Sequence, residues 1–318
     1  MSVIPTLFEY NGTAAAPLQF GFYATVFAHP VGGSPPELCG GVVIAPQWIL
    51  TAAHCVGPNI EAISVYPASQ ASGWLSKTGE YLSSTIIASP FYEPQALDAA
   101  QDDVGVVRLA RPIVSAVVAK LDTTGAAWNA LPNGYLLMSA GHGLTCNDTH
   151  SDCISQTLMV TTIPKVDTES CEGSSSSDWP SSIVGGSMCA GYTGQETSEQ
   201  PCQGDSGGPI FDKNGTVYGI VSRGDASLGC GHSRRPTLFA PVSRAAAFLM
   251  KEVFAPPPSA SRRDSLAGEL AVSVGSEAQA PTAARSVDVA SRARPRRGGL
   301  GWRTALCASV VVSYLQIA

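Results

Sequence analysis

One pattern governs the chain from Gly21 to Ser222: short apolar runs, each closed within a few residues by glycine, proline, asparagine or serine. Phe22–Ala28, Gly41–Ile44, Ile60–Tyr66, Tyr81–Ile87 and Val104–Leu109 make a first set. Tyr135–Ala140, Thr157–Ile163, Pro209–Phe211 and Val217–Ser222 belong to a second. Runs of this length between turn residues suit strands better than helices. Repeated along one chain, they predict an all-β sandwich or barrel. Composition agrees, since only 14% of the 318 residues are charged while glycine (32) and proline (23) are plentiful. Asp212-Lys-Asn-Gly-Thr216 is the clearest hairpin, with Asn-Gly favouring a two-residue primed turn between Ile210 and Val217. One helix is expected, Arg244–Val253, made of good helix formers and capped by Ser243.

After Phe254 the pattern stops. Ala255-Pro-Pro-Pro258 cannot continue a helix, and residues 257–303 read as a disordered low-complexity linker rich in Ser, Ala, Arg and Gly. The apolar tail 304–318 is shorter than the roughly 20 residues of a spanning helix. A polar stalk with a short apolar end is similar to a glycolipid-anchor signal, so membrane attachment through this tail is an expectation, against which the cluster Arg294-Pro-Arg-Arg297 weighs. At the other end, residues 1–8 read as an extension without the basic start and long apolar run of a signal peptide. A net charge of −6 gives no reason to expect nucleic acid as a partner. Of nine cysteines, all but Cys307 fall before residue 231. That even set suits disulfides, an oxidising compartment and a secreted chain.

Three local sequences carry chemistry. In Cys202-Gln-Gly-Asp-Ser-Gly-Gly-Pro209, glycines on both sides of Ser206 let the backbone turn tightly and let a carbonyl approach the amides of Gly204 and Ser206. A serine hydroxyl is a poor nucleophile at neutral pH, and needs a base beside it and donors facing the developing oxyanion. The same residues fit the G-x-S-x-G elbow of α/β-hydrolases, but that elbow requires a helix straight after the serine and a later acid and histidine. Here a strand and hairpin follow, so the elbow is rejected. The second sequence, Trp48-Ile-Leu-Thr-Ala-Ala-His-Cys55, sets His54 just past an apolar strand end. The third, Asp102-Asp-Val-Gly-Val-Val-Arg-Leu109, carries Asp103 into the core with Val104, where a carboxylate is costly unless hydrogen-bonded. An imidazole N–H is a suitable partner, and fixing it sets the tautomer that lets His54 accept the Ser206 proton. Asp102 fits a surface acid.

These residues, in the order His54, Asp103, Ser206, resemble the trypsin/chymotrypsin peptidase family from about Glu9 to Phe254. The resemblance implies two six-stranded antiparallel β-barrels, about 9–122 and 123–256, with the triad in the cleft between them, a C-terminal helix and then the disordered tail. It implies a serine endopeptidase working through an acyl-enzyme, with Gly204 and Ser206 forming the oxyanion hole, no cofactor and no metal. Its partners would be protein or peptide substrates, and protein inhibitors are candidates. It also implies the disulfides Cys39–Cys55, Cys171–Cys189 and Cys202–Cys230, while Cys146 and Cys153 flank an insert and form a local fourth, with a metal site at His150 as the rival reading. Positions of a further family bridge hold Leu137 and Asp212.

The substrate pocket departs from the family's pattern. Gln200 stands where trypsin-like members carry an aspartate, with Glu199 beside it. Ser222-Arg223-Gly224 replaces Ser-Trp-Gly, and Thr237 stands where glycine is usual. The N-terminus departs as well. In the family a freed apolar N-terminus pairs with the aspartate before the nucleophile, here Asp205, whereas this chain has Glu9 at the matching place with residues ahead of it. The chain is therefore expected to need trimming, or another donor to Asp205, for full activity. A catalytically silent homologue acting in binding or adhesion is the alternative that these departures keep open.

Overall fold

A computed structural model of the chain describes residues 12–70, 78–145, 153–172, 184–192, 199–224 and 235–255. Strands β1 (Thr13–Ala14), β2 (Tyr23–Pro30), β3 (Glu37–Ala45), β4 (Trp48–Thr51), β5 (Ile60–Pro67), β6 (Tyr81–Ala88) and β7 (Gly105–Leu109) come first. Then follow β8 (Lys120–Leu121), β9 (Leu136–Gly141), β10 (Met159–Val166), β11 (Met188–Ala190), β12 (Pro209–Phe211), β13 (Thr216–Arg223) and β14 (Thr237–Pro241). Short helices α1 (Ala126–Ala130) and α2 (Thr168–Cys171) sit within the second half, and α3 (Ala246–Glu252) closes it.

The first barrel closes in the order β2-β3-β4-β7-β6-β5, with β5 returning to β2. The second runs β9-β10-β11-β14-β13-β12 and closes through β12 on β9. Every pair within these two six-stranded rings is antiparallel. Closure removes the free edges that an open sheet would expose. Outside the rings, β1 adds to β10, and β8 pairs parallel with β13.

Continuous apolar runs, rather than alternating ones, follow from this layout. Val43, Ile49 and Val107 pack inside the first barrel, while their neighbours Val42, Leu50 and Val106 point the other way. That second face meets Phe211, Val217, Ile220 and Ala240 of the second barrel in one shared core. A strand buried on both faces has no polar side to show. Phe20, Phe22 and Phe211 seal this junction, with ring centroids 5.0 and 5.2 Å apart for the edge-on contacts of Phe211.

Each of the nine predicted runs falls on a strand, within a few residues at either end. The hairpin differs in its turn. Asp212 places its carboxylate on the amides of Asn214 and Thr216, both at 2.9 Å. Gly215 alone takes positive φ, +75°, and the strand register shifts between Ile210 and Phe211. The turn is therefore longer than the two-residue primed form, because a side chain satisfies the amides that such a turn would leave to the strands. The closing helix also starts later than expected. Ala245 is its cap, with no side-chain bond, and Ser243 contributes a turn carbonyl to Ala246 instead.

The disulfides Cys39–Cys55 and Cys171–Cys189 are formed. Cys153 and Cys202 are also half-cystines, and the partners expected for them, Cys146 and Cys230, lie outside the described residues. Outside them too are the extension 1–8, His150, Cys307, the linker 257–303 and the tail 304–318. Among the described residues no helix is long and apolar enough to cross a membrane.

Candidate active site

His54 opens a 3-10 turn just past β4, tied back by Cys55 to Cys39 on β3. Asp103 follows the 3-10 turn Ala99–Asp102, two residues before β7. Because β4 and β7 are paired from Trp48–Arg108 to Thr51–Gly105, the residues just beyond Thr51 and just before Gly105 meet at one end of the barrel. Asp103 Oδ1 accepts the backbone N–H of His54 at 2.9 Å, and Oδ2 lies 2.7 Å from His54 Nδ1. The ionised carboxylate can only accept, so Nδ1 carries the proton and Nε2 keeps its lone pair. Ser222 Oγ, at the end of β13 in the other barrel, donates to the same Oδ2 at 2.6 Å.

Asp103 is only 2% exposed. Burial alone would raise its pKa, but the charge of His54 and the bonds from the His54 ring, Ser222 and the His54 amide outweigh it and hold the carboxyl below its usual range. Surrounding protein pushes His54 downward, and the attraction of Asp103, with a smaller contribution from Glu37, more than reverses that. The net shift is upward.

Ser206 reaches this place from the second barrel. Its carbonyl accepts the N–H of Gly40 at 2.8 Å, and the Gly40 carbonyl accepts Thr51 Oγ1 at 2.7 Å. A Cβ on Gly40 would stand 2.8 Å from Gly208 Cα, so glycine is what lets β3 lie against the serine loop. Gly204 (φ +97°) and Gly207 (φ +80°) hold left-handed conformations around Ser206. The amides of Asp205, Gly207 and Gly208 are all taken by carbonyls. Those of Gly204 and Ser206, on either side of Asp205, donate to nothing among the described residues and are free to meet an oxyanion. Ser206 Oγ makes no hydrogen bond to His54 among these residues; such a contact often tightens only when substrate is bound.

Asp205 is fully buried. Its oxygens accept the amides of Gly143 at 2.7 Å and Cys202 at 2.8 Å. No cation pairs with it among the described residues, and burial lifts its pKa to about 6 against the pull of those two bonds. His142 gives it no charge: its ring bonds the Ser155 carbonyl, and burial lowers its pKa to about 4. Glu9, the residue placed by the activation argument, lies outside the described residues.

Of the expected pocket residues, Ser222 and Arg223 end β13, with Ser222 on Asp103, while Gly224 is exposed just beyond. Gln200 and Thr237 are buried within the second barrel. Glu199 accepts the Thr162 amide at 2.9 Å. The absent family bridge is replaced by ordinary packing: Leu137 shares a core with Tyr218, whose hydroxyl bonds Asp212 at 3.1 Å. His54, Cys39 and Cys55 cluster closely enough to suggest metal ligands, but both sulfurs are spent in the disulfide and no thiolate is available.

Sequence reasoning missed two contributors. Ser222 was assigned to substrate alone, and its bond to Asp103 depends on the docking of two barrels. Gly141 and Gly143 make room for Asp205, since a Cβ on either would collide with its carboxylate. The Gly-His-Gly triplet was the available signal.

The trypsin family model matches residues 10–249 of the chain. Chymotrypsin-like elastase family member 1 of Felis catus is 34% identical over 218 residues, 67% of this chain and 77% of that protein. The Homo sapiens protein of the same name is 33% identical over 216 residues, covering 67% and 80%. A solved collagenase structure superposes with a TM-score of 0.63 at 24% identity, over 78% of this chain and 99% of that one; at that identity it bears on fold alone. Two closed six-stranded antiparallel barrels with a short closing helix define the chymotrypsin-like class. This chain belongs to the trypsin family, and it is a serine-type endopeptidase acting on proteins or peptides.

Proposed function

We propose that the chain cleaves peptide bonds through an acyl-enzyme on Ser206, with His54 as base and Asp103 orienting that base. Ser206 Oγ attacks the carbonyl carbon while His54 Nε2 takes its proton, and the oxyanion rests on the amides of Gly204 and Ser206. The C–N bond then breaks as His54 returns the proton to the leaving amine. Water repeats the sequence with the same base and releases the acid. The observation that carries this reading is the Asp103 carboxylate, which is buried yet bonded on both oxygens to His54. It fixes the tautomer that leaves Nε2 basic.

Specificity not dominated by Arg or Lys goes with this reading. Gln200 brings no negative charge, Glu199 is engaged elsewhere, and an unpaired buried substrate cation is strongly disfavoured. Disulfides Cys39–Cys55 and Cys171–Cys189 suit a secreted protein. Ser206→Ala is expected to lower turnover of a fluorescent protein substrate by on the order of 10⁵-fold or more with unchanged melting. Undiminished turnover in that variant would remove Ser206 from the chemistry.

A further inference from the structure

Arg223 lies close enough for its charge to act on His54, and among the described residues it is spent on very little. It directly follows Ser222, whose hydroxyl binds Asp103. Nη1 donates to the Leu97 carbonyl at 3.3 Å, a long contact and its only one among the described residues. Other arginines are better employed. Arg244 forks onto Asp102 at 3.1 and 3.0 Å, Arg108 lies over Trp48, and Arg111 lies over Tyr81. Asp103, in the site itself, has both oxygens committed to His54 and Ser222. A guanidinium presents five donors, and among the described residues only one of them is engaged. Its charge is nonetheless close enough to oppose, without reversing, the upward shifts of His54 and Tyr92.

The setting is a docking edge. The pairing of β13 with the β12 side ends at Val221, which exchanges bonds with Gly207 and Gly208. Among the described residues Ser222 and Arg223 run on with that edge unpaired, a place where an extended peptide can add as a strand. Leu97, 64% exposed, forms an apolar rim there. The far side of the site has the opposite sign: Glu37 begins β3 next to Leu38, which packs against Gly204, and its charge also reaches His54.

We propose that Arg223 selects substrates carrying an acidic side chain, taking the carboxylate of an aspartate or glutamate that lies over the Leu97 end of the cleft. This rests on the endopeptidase reading of the cleft and adds a substrate class to it. A bound carboxylate would meet a fork of unused N–H groups in a site that the substrate itself dries, giving charge-assisted bonds at little cost in ordering.

The test separates binding from cleavage. Labelled peptides are made in which one glutamate, or a glutamine in its place, is moved along the positions flanking the cleaved bond. Their binding to the Ser206→Ala chain is read by fluorescence anisotropy. At one position glutamate should bind about tenfold tighter than glutamine, and the preference should shrink with added salt. Arg223→Gln, which keeps an N–H for the Leu97 carbonyl, should abolish the preference, and Arg223→Lys should retain it. Arg223→Glu should turn the preference toward lysine. Equal binding of glutamate and glutamine at every position, or a glutamate preference that survives Arg223→Gln, would overturn the proposal. Cleavage of the same peptides by the chain with Ser206 intact judges the nucleophile separately. Acid-selective binding without cleavage would sink that reading and leave the selector standing.

Discussion

The two barrels give different things to the site. The first gives side chains: His54 and Asp103, held on strand ends whose pairing and disulfide place them. The second gives mostly backbone: the open amides of Gly204 and Ser206, held by left-handed glycines and by Asp205 bonded to two further amides. A side-chain site fails when a charge or a donor is changed. A backbone site fails when something fills the room that its glycines leave.

Among changes that leave the nucleophile in place, Asp103→Asn should have the largest effect, confined to chemistry. The amide cannot hold the Nδ1–H tautomer as a carboxylate does, so kcat should fall by about 10⁴-fold while circular dichroism and melting change little. His54 must be neutral to act, and its pKa is raised by Asp103. Activity of the native chain therefore switches on as pH rises through a value above 6.5, and the residual activity of the variant should switch on at lower pH. Loss of fold rather than rate would show that the first barrel needs this acid structurally.

Asp205 tests the second barrel through stability. Its carboxyl titrates near 3.8 when free and about 6 in the fold. Between these values the folded chain binds the extra proton, so this group's contribution is fully present below 3.8 and lost as pH rises through about 6. Two units correspond to about 3 kcal/mol. The melting temperature of the native chain, measured against Asp205→Asn, should decline from pH 4 to 7 and then level. A difference that stays flat would mean that a cation compensates Asp205.

The smallest effect concerns the tie between the barrels. Arg244, from the second barrel, grips Asp102 beside Asp103, but its side chain is 43% exposed. Arg244→Gln should cost less than about 1 kcal/mol and only a few-fold in kcat. A loss comparable to that of Asp103→Asn would mean that Asp103 depends on its neighbour's ion pair.

Legibility in the sequence follows the same division. Strands are readable because runs such as Val104–Leu109 are buried on both faces, and the pairing of His54 with Asp103 is suggested by the distinctive local setting of each. Met188–Ala190 is as short as Pro209–Phe211 but lacks the neighbouring Asn-Gly hairpin signal that marks the latter. The bond from Ser222 to Asp103 spans 119 residues, and no local pattern encodes it. The hairpin turn was misread because Asn-Gly was weighed without the Asp212 carboxylate that rebuilds it.

The central claim, that Ser206 is the nucleophile activated by His54, is tested most directly by treating the full chain with a fluorophosphonate and mapping the adduct by mass spectrometry. The account predicts one stoichiometric adduct on Ser206, absent after Ser206→Ala or heat denaturation and strongly slowed after His54→Ala. No adduct on the folded chain, or an adduct on another residue, would contradict it.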